Sequence, residues 1–165
     1  MHEDLDSCAR MLKNAGCSPK VIAHCRAVCA CALEYAGRNP LVDRHLVITG
    51  AMLHDIGRGS THAIGHAQAG ADLLRSMGLP EPVARIVERH AGAGLTPDEC
   101  TLLGLLPRDC MPETSEEKIV THADNLIAGT SKVGIDESIA SAIHLKKTIR
   151  KRMYRLALDV ELLCM

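Results

Sequence analysis

The sequence predicts an all-α fold, a compact single-domain bundle of about six to seven helices. Apolar residues recur at helical rather than alternating spacing along almost the whole chain, and Gly and Pro stand where helices would start and stop. The apolar share is 47%, yet there is no Phe or Trp and only two Tyr. The core must therefore come from Leu, Ile, Val, Ala and Met, which favour helices apart from the β-branched ones. At 165 residues the chain has the length of one domain, enough to bury a core without disulfide staples.

Ser18 and Pro19 read as a cap and a first-turn proline, opening a helix from about 19 to Tyr35 that stops near Gly37. His24 falls in its first half. After Asn39 and Pro40, a second helix is expected over roughly Asp43 to Ile56, apolar at Leu46, Val47, Ala51 and Leu53, with Gly57 and Gly59 to end it. His54 and Asp55 then sit at its C-terminal end. A third helix is expected from about His62 to Met77, and a fourth from Glu81 and Pro82 through Val83, Ile86 and Val87 to His90. Ala91 to Gly94 reads as a loop. From Leu95 to Thr114 the pattern is mixed, with Pro97, Pro107 and Pro112 marking turns or one short helix. Ser115, Glu116 and Glu117 open a helix ending by Gly129, and a last long helix is expected over about 136–162. No repeat, low-complexity tract or interdomain linker interrupts the pattern, so one domain over 1–165 is expected.

Charge narrows the function classes. With 19 basic against 20 acidic side chains, the chain lacks the broad positive field of non-specific nucleic-acid binders, and a nucleic-acid partner is not expected. With His2, Glu3, Asp4 and Asp6, the N-terminus lacks the basic-then-apolar order expected of a secretory leader. No apolar run approaches the roughly 20 residues that span a bilayer, so no membrane partner is expected. A cytoplasmic location is the expectation, with the eight cysteines as buried or inert thiols.

Histidines carry the chemical signal. Consecutive side chains on a straight helix point about 100° apart, so His54 and Asp55 converge on one ion only where the backbone is ending or distorting. Gly57 and Gly59 provide that ending. An imidazole nitrogen beside a carboxylate makes half of a mixed N/O site suited to Fe, Mn, Zn, Co or Ni rather than Ca. Taken alone, the pair also reads as a helix-end histidine complementing the dipole, His24 as a half-buried helix histidine, and Asp124 as a solvated carboxylate. Asp124, however, is flanked by Val120, Ala123 and Ile127 on an apolar face.

Together these residues resemble the HD superfamily of metal-dependent phosphohydrolases, named for its adjacent His-Asp pair. His54, Asp55, Ile56 and Gly57 spell the HDIG signature of one subset. His24 matches the family's upstream histidine. Asp124, within His122-Ala123-Asp124-Asn125-Leu126, matches its closing aspartate. His66, four residues before Gly70, looks like the family's His-x-x-x-Gly helix start, and His90 ends the next helix as second-metal histidines do. The resemblance spans about residues 20 to 130 and implies an HD-type bundle. It also implies one divalent transition metal on His24, His54, Asp55 and Asp124, with His66 and His90 available for a second. His62 has an open role between this cavity and the surface, His122 points away from Asp124, and His2, His45 and His144 read as ordinary polar residues.

The activity that the resemblance implies is hydrolysis of a small phosphoester by attack of metal-bound hydroxide, with Asp55 orienting the nucleophile. Arg58, where many relatives carry lysine, would grip phosphate oxygens; its plainer reading is a helix-end arginine on terminal carbonyls. An HDIG form without acidic residues after the His-Asp pair looks most like phosphodiesterases, including ones that open a 2′,3′-cyclic phosphate of a nucleotide or pterin. A phosphomonoesterase or nucleotidase of the same family, and a non-catalytic ligand-binding module, are the alternatives. Homo-oligomerisation is left open. The basic run from Lys146 to Arg155 reads as a solvated face of the last helix, with Tyr154 its only aromatic residue.

Overall fold

Helix caps set the boundaries in a computed structural model that describes residues 2–165; the side chains of His2 and Glu3, and with them the polar role expected for His2, lie outside the described residues. Nine α-helices run through the described residues: α1 (His2–Asn14), α2 (Pro19–Ala36), α3 (Arg44–Leu53), α4 (His66–Ser76), α5 (Glu81–Arg89), α6 (Pro97–Leu102), α7 (Ser115–Asn125), α8 (Ile135–Ser141) and α9 (Lys147–Leu163). A 3-10 turn covers Ile56–Gly59, and β1 (Ile127–Ala128) pairs antiparallel with β2 (Ser131–Lys132). Ser18 caps α2 by accepting from Val21 N, and Asp43 caps α3 through His45 N and Leu46 N. Full capping boxes open α6 (Thr96, Glu99) and α7 (Thr114, Glu117).

The all-α class holds, with more helices than the six to seven expected. The N-terminal segment forms α1, and the single helix expected over 136–162 is two, α8 and α9, joined by a turn at 142–146. A continuous helix of that length would run about 40 Å, and doubling back packs α8 on α9 instead. The helix expected to reach Ile56 ends at Leu53, and the one expected from His62 begins at His66.

Around α2 and α3 the chain builds one core from Leu12, Val28, Val47, Met52, Leu53, Ile56, Leu74, Ile86 and Ile119, all essentially unexposed. Each such aliphatic side chain contributes about 1.5–3 kcal/mol by leaving water. All eight cysteines are free and buried, serving as small apolar fillers. Helix α2 packs on α3 and α7, α3 on α5, and α4 on α5. The inner faces of these five helices enclose a polar cluster that includes His54, Asp55, His66 and His90. None of the helices is long and apolar enough to cross a membrane.

Candidate metal centre

His54 caps the end of α3 with helical angles, and at Asp55 the backbone leaves the helix (φ −99°, ψ 15°) before the 3-10 turn. That departure swings the two adjacent side chains to one spot, with His54 Nε2 at 3.7 Å from Asp55 Oδ2. From α7, Asp124 Oδ1 comes within 3.4 Å of His54 Nε2 and 2.9 Å of His24 Nε2 on α2. His66, first residue of α4, and His90, at the end of α5, approach the other carboxylate oxygen: their Nε2 atoms lie 3.1 and 3.5 Å from Asp55 Oδ1. All six residues singled out as metal ligands therefore meet in one cluster.

Backbone carbonyls aim the rings. His24 Nδ1 lies 2.7 Å from Gly129 O, His54 Nδ1 2.7 Å from Ala51 O, His66 Nδ1 2.8 Å from Ala63 O, and His90 Nδ1 2.6 Å from Val87 O. A carbonyl only accepts, so each Nδ1 carries a proton, and wherever the ring is neutral its Nε2 lone pair faces inward. The bare pairs confront one another. His66 Nε2 and His90 Nε2 are 3.1 Å apart, and His54 Nε2 and Asp55 Oδ1 are buried with no hydrogen-bond partner. Nitrogens and carboxylates converging with so few donors among them form a cluster that could hold a cation. Two sets of donors, His24 with His54 and Asp124, and His54 with Asp55 and His90, are each close enough to share an ion.

Electrostatics divide the rings: against burial, Asp124 raises His24 above the usual histidine value, and Cys25 and Asp124 raise His54. Burial alone would raise the Asp55 carboxyl, but the contacts from His66 and His90 outweigh it and hold the group well below the usual carboxylate range. Asp124 is half-buried, and against that burial His54 and His24 hold it well below the usual carboxylate range. Burial pushes His90 down, which favours the neutral ring that binds metal.

Exposure separates floor from rim. The side chains of His54, His90 and His66 are 0–5% exposed, whereas His24, Asp124 and Arg58 show 19%, 21% and 31%. Arg58 Nε sits 2.7 Å from Asp55 Oδ2 and one Nη donates weakly to His62 O at 3.5 Å. The guanidinium thus stands at the rim, partly engaged by Asp55 rather than free. His62 is exposed, as are His45 and His144. His122 is buried behind the site, its Nε2 3.3 Å from Tyr35 Oη.

Sequence reasoning missed the carbonyl of Gly129 and the β1–β2 hairpin that presents it. A helix-stop glycine gave no sign of holding His24. It also missed Asn125, whose Nδ2 donates to Gly92 O at 2.6 Å and fixes the loop that follows His90.

The HD domain family model matches residues 21–129. An uncharacterized protein of Methanocaldococcus jannaschii is 49% identical over 140 residues, covering 82% of both chains. A tRNA (cytidine(56)-2′-O)-methyltransferase of Picrophilus torridus is 47% identical over 125 residues, which are 76% of this chain and 36% of that protein. The crystal structure of the L. monocytogenes phosphodiesterase PgpH HD domain matches with a TM-score of 0.58 at 15% identity, covering 90% of this chain and 94% of that one. At that identity the likeness is one of fold.

Proposed function

The chain belongs to the HD domain family, and from that premise we propose that it is a divalent-metal-dependent phosphohydrolase acting on a small phosphodiester or 2′,3′-cyclic phosphate. The observation that carries the reading is the cluster of four inward-facing Nε2 atoms around Asp55 and Asp124, two of them 3.1 Å apart. His24, His54 and Asp124 would hold one ion, and Asp55, His66 and His90 a second. Transition metals such as Mn, Fe, Co, Ni or Zn suit these N/O donors. Such ions, when bound, supply Lewis acidity and lower the pKa of a coordinated water toward neutrality.

The residues divide the remaining work. Asp55 faces both histidine sets and, through Oδ2, Arg58, so it links the metal ligands to the rim. Arg58 meets a phosphate entering past His24 and Asp124. Gly57 and Arg58, rather than acidic residues, follow Ile56 after the His54–Asp55 pair, and this supports the diester over the phosphomonoesterase alternative. The tRNA-modifying relative contains a segment like this chain and is named for a ribose 2′-oxygen, which supports a ribose-linked phosphate, a nucleotide rather than a pterin, as substrate.

The test compares bis(p-nitrophenyl) phosphate with p-nitrophenyl phosphate under added Mn. Faster turnover of the diester, lost by at least about 100-fold in Asp55→Asn, is the expected result. Preference for the monoester would favour the nucleotidase reading. Turnover of neither, with metal bound, would favour a non-catalytic module.

A further inference from the structure

Four cations and the chain's one exposed Tyr meet in a groove between α8 and α9. The groove has a volume of about 640 Å³, and Lys147, Arg150, Lys151 and Arg155 line it beside Tyr154. Its apolar floor is Ile139 and Leu158, and Asp136 is its single acid. Tyr154 is 48% exposed, while the other tyrosine, Tyr35, is buried in the core.

The cations are placed against the interest of the fold. Lys147, Lys151 and Arg155 stand at i, i+4 and i+8 and repel along one stripe. They also crowd the N-terminal half of α9, where the helix dipole favours acids, and the first turn of α9 holds none. Among the described residues the four cations have no ion-pair partner, and Arg150 Nε is buried without a hydrogen bond, whereas neighbouring Arg152 is fully engaged with Glu99. An anion in the groove relieves this repulsion. A lone phosphate would leave the ring and the apolar floor unused, and an acidic peptide brings no planar group to stack. A nucleotide unit of a strand uses all three features.

We propose that the groove between α8 and α9 binds a segment of single-stranded nucleic acid, phosphates on Lys147, Arg150, Lys151 and Arg155 and one base stacked on Tyr154. A net charge of −1 removes a broad field but does not disperse this local cluster. Lys151 and Arg155 also border a smaller cavity with Arg152, which donates to Gly94 O at 2.8 Å. Arg152, its charge taken up by Glu99, ties this side of α9 to the loop that follows His90.

The experiment is fluorescence anisotropy of a labelled 12-nucleotide RNA of mixed sequence with the full chain. Binding is read without turnover, so failure of the hydrolase reading leaves its outcome intact. Four neutralised phosphates predict about 50-fold weaker binding at 200 mM than at 50 mM salt. The double variant Lys147→Ala/Lys151→Ala should bind at least tenfold more weakly. Tyr154→Leu, at an exposed position that leaves the core untouched, should lose about fivefold or more. Unchanged affinity in both variants would overturn the proposal. So would equal binding of polyglutamate, or tighter retention on phosphatidylglycerol vesicles than on RNA.

Discussion

Gly57 lies against the first residue of α4 so closely that a Cβ at position 57 would stand 2.0 Å from His66 O. Gly70, one turn further along α4, completes the contact, with its own Cβ position 3.0 Å from Gly57 N. The glycine of the HDIG sequence thus seats α4, and with it His66, on the turn that carries Asp55. Gly57→Ala forces α4 outward, since the obstructing atoms are backbone. The expected cost is about 3 kcal/mol, a fall of roughly 10 °C in Tm for a domain of this size. Loss of one metal equivalent should accompany it, read by thermal melts and elemental analysis of the same sample.

The facing Nε2 atoms of His66 and His90 give a separable prediction. His66→Ala removes a donor from the Asp55 side of the cluster and leaves the His24, His54 and Asp124 side intact. Calorimetric titration with Mn should show two ions in the native chain and one in the variant. His24→Ala should weaken the other ion instead.

A buried ion pair holds the start of α7, the helix that carries Asp124. Glu117, 2% exposed, accepts from Arg89 at 2.9 Å and from the backbone N of Glu113 at 2.7 Å at the start of α7. Glu117→Ala leaves the buried Arg89 guanidinium with the exposed Glu113 alone and removes the carboxylate half of the α7 capping box, for an expected loss of about 3–5 kcal/mol in urea unfolding. The exposed Lys132–Glu34 pair, by contrast, should contribute less than about 1 kcal/mol when Lys132→Ala is measured the same way.

Acid sensitivity follows from Glu99. The Arg152 guanidinium, bonded to both Glu99 oxygens, holds its carboxyl down to about 2. A carboxyl depressed in the folded state contributes stability that is complete above the unfolded value of 4.5 and is lost as pH falls toward 2. Glu99→Gln should therefore flatten the decline of Tm between about pH 4.5 and 2. A variant profile parallel to the native one would show that the pair does not supply it.

Much of this site could be read from residue order because its ligands sit at places that sequence marks. His54 and Asp55 lie at a glycine-terminated helix end, His66 starts a helix, and Asp124 interrupts an apolar stripe. What could not be read depends on tertiary packing. The break between α8 and α9 has neither Gly nor Pro at 142–146, and Ile139, Ala142, Met153 and Val160 continue one stripe at helical spacing across it. Periodicity therefore carries no signal of the bend. Arg58 is similar: its approach to Asp55 depends on the 3-10 turn, whose short-range geometry residue types alone do not fix.

Anomalous X-ray diffraction from crystals grown with Mn tests the metal centre most directly. One peak should lie among His24 Nε2, His54 Nε2 and Asp124 Oδ1, and a second should lie among Asp55 Oδ1, His66 Nε2 and His90 Nε2. Density at neither position in Mn-saturated crystals, with the histidines still facing inward, would contradict the account.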